Sequence, residues 1–290
     1  MELAFSPVAS TANESASEAS ARVKRAKRRI TQNVTGERAI QGGRAITLTF
    51  RADDGPSAMA PVPGVLRLPD ATGAAQTALL LHGYASRKED MAESVGVALL
   101  PLGIASLSID LPLHGERSDP LELRGMRKPF ELAQRWRTAI EEAQLALRFL
   151  SARPEIDRDR LALIGYSLGS YLALAVAERD SAVRAVVLAA GGDLPDFPLA
   201  SLIRAVADPL QGVRALTGRP LLMVHGRRDT TILPAQATQL FEAAGEPKEI
   251  QWWNAGHRLP DAAVLRAAAW LDHQLRQLRR GVEISDGASR

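Results

Sequence analysis

From residue 44 onward the chain alternates short apolar runs with longer stretches of helical period. "RAITLTF" and "PGVLRL" predict two early strands, joined by a turn-rich link that holds Asp53, Asp54, Gly55 and Pro56. "TALLLHGY" predicts a strand, residues 89–100 a helix, and "IASLSID" the next strand. Ala133, Trp136, Ile140, Ala143, Leu147 and Leu150 recur at steps of three and four, which describes an amphipathic helix stopped by Pro154. "RLALIGYS", "VRAVVLAAG", "PLLMVHGRRD" and "EIQWWN" predict further strands, with helices between and after them.

Several of these runs are apolar at successive positions, not only at alternate ones. Such strands are buried on both faces, inside a parallel sheet covered by helices. Right-handed crossovers then give a doubly wound, mostly parallel α/β sheet of about eight strands with helices on both faces. The expected organisation is one domain over 44–280, with a C-terminal tail at 281–290. Within it, the segment 192–217 carries Leu194, Phe197, Leu199, Leu202, Ile203 and Val206 and is too long for a plain strand–helix unit. It suits either a small helical cap beside a pocket or an extra surface helix.

Composition narrows the chemistry. A chain of 290 residues, 46% hydrophobic, can bury a core without disulfides or structural metal. It has no cysteine, which excludes disulfides, thiolate metal sites and a cysteine nucleophile, and suits a reducing compartment such as the cytoplasm. The net charge of +3 is local: the first 44 residues hold eight Lys/Arg against four Glu, and the remainder is close to neutral. Nucleic-acid binding is therefore not expected of the body. The run "RVKRAKRR", after a Ser/Ala-rich start, predicts a disordered basic tail over 1–43. The first twenty residues lack the positive leader and apolar core of a secretory signal, and no window is apolar enough for a membrane span.

In an open parallel sheet, ligands bind beyond the carboxyl ends of the strands. The residues at those ends are His82-Gly83-Tyr84, Asp110, Ser167, His225 through Asp229, and Gly256-His257. Ser167 sits between Gly165 and Gly169 where a buried strand gives way to a buried helix. A serine on that sharp turn presents its oxygen to solvent, and the glycines let neighbouring segments pack close. Its bland alternative is a helix N-cap.

A nucleophilic hydroxyl needs a base, and around such turns the acid and then the histidine follow the serine. Only His257 and His273 lie beyond Asp229. On the last helix Val264, Ala268, Leu271, Leu275 and Leu278 form the apolar stripe, and His273 points away from it. His257, in a glycine-containing loop, is the expected base. Asp229 is the expected acid because it ends a strand; Asp193 and Asp196 are the runners-up, and a surface ion pair with Arg227 or Arg228 is its plain alternative. The backbone N–H groups of Tyr84 and Leu168 are the expected oxyanion donors. His82 and His225 fall outside this order and read as residues that shape loops.

Taken together, "LLLHGY", "GYSLG", "HGRRD" and "AGH" resemble the α/β-hydrolase superfamily over residues 44–279. "HGYASRKEDM", "LPLHGERSD" and "PKEIQWWNAGHRLP" resemble its dienelactone-hydrolase-like and prolyl-oligopeptidase-like branch, which includes carboxylesterases. The resemblance implies an α/β-hydrolase fold and a serine esterase that forms an acyl-enzyme on small ester substrates, with no cofactor or metal. Dienelactone hydrolases use a cysteine where this chain has Ser167, and the chain has no room for the large extra domain of prolyl oligopeptidases. Leu113 stands where related hydrolases carry a glycine, and His114 reads as a loop-packing residue at the rim. An acyltransferase or a peptidase/amidase would use the same three side chains.

Overall fold

The computed structural model describes residues 29–53, 60–117, 129–194 and 200–287. Its strands are β1 (Ile30–Ile40), β2 (Gly43–Ala52), β3 (Val62–Pro69), β4 (Ala75–Leu81), β5 (Ala105–Ile109), β6 (Ile156–Tyr166), β7 (Val183–Ala189), β8 (Leu221–Gly226) and β9 (Lys248–Trp253). They form a nine-stranded sheet in the order β1-β2-β3-β5-β4-β6-β7-β8-β9. The first three pairings are antiparallel, and every pairing from β5 through β9 is parallel. β5 and β6 flank β4 on opposite sides, so the direction of winding reverses there. That is where an open α/β sheet leaves a crevice at its strand ends.

The helices are α1 (Lys88–Met91, continued by a wide turn over Ala92–Gly96), α2 (Val97–Leu99), α3 (Pro129–Ser151), α4 (Leu168–Arg179), α5 (Ala200–Arg204), α6 (Pro209–Arg214), α7 (Pro234–Ala243) and α8 (Asp261–Gly287). They split into two layers. Leu79, Leu163, Leu188 and Met223 face the layer that contains α3, α4 and α7. Their neighbours Leu80, Ile164, Val187 and Val224 face α1, α2 and α8 instead. Apolar residues at successive positions thus serve two cores, which accounts for the continuous apolar runs.

Two boundaries differ from expectation. The basic tail predicted through residue 43 gives way to a strand at Ile30, and this ninth strand is the reason the sheet exceeds eight. β1 lies at the sheet edge and is mostly exposed, so it carries no amphipathic alternation that a reading by period could detect. Residues 1–28 lie outside the described residues, as do 54–59 of the early turn. At the other end α8 continues to Gly287, past the tail boundary expected at 281. An interior glycine such as Gly281 costs a helix only about 1 kcal/mol. The segment over 192–217 contains α5 and α6; Gly212 of α6 packs on Leu174 of α4, whereas Ile203 of α5 lines a cleft beside the strand ends. Residues 195–199, with Asp196, lie outside the described residues. Among the described residues no helix is long and apolar enough to cross a membrane.

Candidate active site

Ser167 follows β6 directly and adopts φ 51° and ψ −112°, a left-handed conformation that a residue with a side chain rarely takes. The surroundings hold it there. The Ser167 N–H bonds the Ala189 carbonyl at the end of β7, and the Ser167 carbonyl accepts from the Ser170 N–H and Oγ. A Cβ at Gly165 would collide with the Gly169 carbonyl, and one at Gly169 with the carbonyl of Leu81. The two glycines therefore serve close backbone contact on either side of the strained serine.

Ser167 Oγ lies 2.9 Å from His257 Nε2, and His257 Nδ1 lies 2.8 Å from Asp229 Oδ2. A carboxylate only accepts, so Nδ1 carries the proton and donates it. Nε2 then presents a lone pair to the serine hydroxyl. The Asp229 side chain is fully buried, while that of His257 is 28% exposed. Asp229 Oδ1 accepts the N–H groups of Thr231 at 2.8 Å and Ile232 at 3.1 Å, which fix the orientation of the carboxylate. Arg227 and Arg228 do not pair with it: Arg227 lies over the Trp252 ring, and Arg228 donates to the Asn254 carbonyl. Gly226 lets the histidine loop close on β8, since a Cβ there would meet the Gly256 carbonyl.

The other acids and histidines have separate partners. Asp193 accepts a bidentate pair from Arg204 at 2.9 and 2.8 Å, on the helical side of the site. His273 is exposed on α8. His225 is buried; its Nε2 lies 3.0 Å from the Ile232 carbonyl and 3.6 Å from Asp229 Oδ2, so it braces the loop that presents the acid. Burial lowers the pKa of His225 and of His114, keeping both imidazoles neutral.

His82 sets the geometry of the loop after β4. Its Nε2 accepts the Leu111 N–H at 3.1 Å, so its Nδ1 holds the proton and donates to the Gly83 carbonyl at 2.7 Å. In a trans peptide the C=O and the following N–H point opposite ways. The Tyr84 N–H is therefore turned away from His82. Gly83 itself packs against Ser167, a Cβ on it lying 3.4 Å from the serine Cβ. Leu168 opens α4, where the first N–H groups have no acceptor within the helix. These are the two N–H groups expected to receive an oxyanion.

Lys88, a buried charge between the strand-end loops, was not singled out by sequence reasoning. Lys88 Nζ contacts Asp110 Oδ2 at 3.0 Å, Glu116 Oε1 at 2.7 Å and Glu89 Oε1 at 2.8 Å. Asp110 also accepts the backbone N–H groups of Lys88 and Glu116. Burial opposes the ammonium, but the carboxylates outweigh it and its pKa is raised. The cluster ties the loop after β4 to the loop after β5. Lys88 follows Arg87 and directly precedes the predicted helix, a place where a lysine is usually exposed to solvent.

A cleft of about 260 Å³ opens beside Ser167, lined almost wholly by apolar side chains that include Tyr84, Leu111, Trp136, Leu168, Leu172 and Ile203. A larger cleft of about 640 Å³ lies on the other face of the sheet, between α1 and α8.

Residues 78–282 match the alpha/beta hydrolase family, and the chain belongs to it. Among curated proteins it is 22% identical over 231 residues to the Bacillus subtilis (strain 168) protein named "Putative esterase YitV", covering 68% of this chain and 88% of that one. Among solved structures it resembles a cold-adapted esterase from an Arctic intertidal metagenomic library, at TM-score 0.67 and 20% identity over 84% of this chain and 99% of that one. It also resembles the acetyl xylan esterase of Paenibacillus sp. R4, at TM-score 0.69 and 17% identity over 89% of this chain and 92% of that one. At these identities the structural likeness establishes the fold. The finer placement in a dienelactone-hydrolase-like branch finds no support in these comparisons.

Proposed function

We propose that the protein is a serine esterase working through an acyl-enzyme. The observation that carries this reading is the unbroken hydrogen-bonded chain from Ser167 Oγ through His257 to buried Asp229, at 2.9 and 2.8 Å. Ser167 Oγ attacks the ester carbonyl as its proton passes to His257 Nε2, and Asp229 stabilises the imidazolium. The Tyr84 and Leu168 N–H groups receive the oxyanion, a service for which losing one donor typically costs about a hundredfold or more in turnover. His257 returns its proton to the departing alkoxide, leaving the acyl group on Ser167. A water molecule, deprotonated by His257, then attacks the acyl-enzyme and releases the acid, and the proton on His257 goes back to Ser167.

The apolar cleft next to Tyr84 and Leu168 suits the acyl group, and its volume of about 260 Å³ favours a compact one. The esterase names of the relatives point the same way. The purified protein should hydrolyse p-nitrophenyl acetate and butyrate faster than long-chain esters, and should be labelled by a fluorophosphonate. Ser167→Ala should lose both properties while remaining folded. Hydrolysis that survives Ser167→Ala would overturn the reading. Assays with the matching anilide, and with added alcohol acceptors, separate an esterase from an amidase or an acyltransferase.

A further inference from the structure

The residue just before the nucleophile has no part in the scheme above, yet its hydroxyl is engaged. Tyr166 Oη donates to the backbone carbonyl of His257 at 2.5 Å. The phenol stays protonated because burial raises its pKa. The hydroxyl thus holds the main chain of the histidine loop at His257 itself. The edge of the ring meets the His257 imidazole, with centroids 5.9 Å apart at an interplanar angle of 67°.

We infer that Tyr166 is a positioning residue for the base: its hydroxyl clamps the backbone of the histidine loop and so fixes where His257 Nε2 stands relative to Ser167. Core filling alone does not explain the side chain: the ring packs on the core between the sheet and α8, but it also lines the 640 Å³ cleft between α1 and α8. Nor is the hydroxyl placed for chemistry, since it bonds the main chain of His257 and not its ring. The mechanical logic is specific. Asp229 orients the imidazole from Nδ1, but His257 sits on a loop with a glycine before it and an exposed arginine, Arg258, after it. A side-chain acceptor alone leaves the loop free to pivot about that contact; a second anchor on the backbone removes the freedom. Because Tyr166 adjoins Ser167 in the chain, the clamp ties base and nucleophile to one rigid strand end.

The assignment rests on the esterase reading, and its test can fail separately. Tyr166→Phe removes the hydroxyl and keeps the ring. We expect kcat for p-nitrophenyl acetate to fall about tenfold, the rate equivalent of one lost hydrogen bond to a buried carbonyl. KM should be unchanged and the rate of fluorophosphonate labelling should drop in parallel. In proton NMR the low-field Nδ1–H signal of His257 should broaden or vanish in the variant, while circular dichroism and the thermal midpoint show an intact fold. A variant with wild-type kcat, a change confined to KM, or an undisturbed His257 signal would overturn the clamp. If the wild-type protein neither hydrolyses esters nor reacts with the probe, the esterase reading fails, and the NMR comparison still decides the role of Tyr166.

Discussion

Acid should weaken this protein through His82, and the size of the effect can be worked from its surroundings. Burial lowers the His82 pKa from 6.5 to about 4, the hydrogen bond to the Gly83 carbonyl opposing only in part. Between those two values the unfolded chain binds a proton that the folded protein refuses. Stability therefore holds above about pH 6.5, declines as the pH falls through the window, and levels off below about pH 4. The shift corresponds to about 3 kcal/mol from this one side chain. His82→Asn keeps a donor near the Nδ1 position but cannot titrate. It should be less stable than wild type at neutral pH by about 1–3 kcal/mol, because the buried Leu111 N–H loses its acceptor. Urea unfolding of both proteins at several pH values between neutrality and about pH 4 isolates the effect. His114 and His225, also lowered by burial, add a similar acid sensitivity to both proteins and largely cancel in the comparison. On acidification the difference between the two proteins should move by about 3 kcal/mol in favour of the variant, closing the gap or reversing its sign. A gap that stays constant with pH would falsify the assignment of His82 as a buried neutral imidazole.

Two further substitutions probe the same rim. Gly169→Ala places a methyl against the Leu81 carbonyl, and should cost about 1–3 kcal/mol in urea unfolding together with most of the esterase activity, because the strand end that carries Ser167 must shift. Lys88→Met leaves Asp110 buried without its cation and should destabilise by about 3–5 kcal/mol. The double variant Lys88→Met/Asp110→Asn should recover part of that loss, and a double-mutant cycle by thermal unfolding measures how much.

How much was legible in the sequence follows from what each feature must satisfy. The parallel strands announce themselves because both faces of Leu79-Leu80 or Val187-Leu188 are buried, so no polar residue interrupts the run. The strand-end rule brought out Ser167, Asp229 and His257, and the fold sets all three at one edge because parallel strands share the end at which they stop. β1 was missed for the opposite reason: a strand at the edge, mostly exposed, has no pattern to display. Lys88 was missed because its burial depends on Asp110, twenty-two residues away, and no local signal encodes that partner. The Tyr166 hydroxyl bonds across ninety-one residues, to a carbonyl that every residue type possesses equally. Contacts of that kind belong to topology and not to composition.

The buried polar groups at this rim share a single physical logic. An imidazole or an ammonium removed from water is costly unless each of its donors and acceptors is met. His82 meets that cost by bridging Gly83 and Leu111, which sit on the loops after β4 and β5. Lys88 does so by gathering Asp110 and Glu116 from the second of those loops. Each tie joins segments that the strands alone would leave free to move independently. Oxyanion donors help a reaction only if they are already aimed before charge develops. A loop of exposed polar residues could reach the same positions, but it would reorganise at the moment of reaction and forfeit the benefit. Protonating His82 removes the acceptor of the Leu111 N–H, so the loop after β4 should loosen in the folded protein only as the pH nears about 4, where the His82 contribution to stability has already been lost.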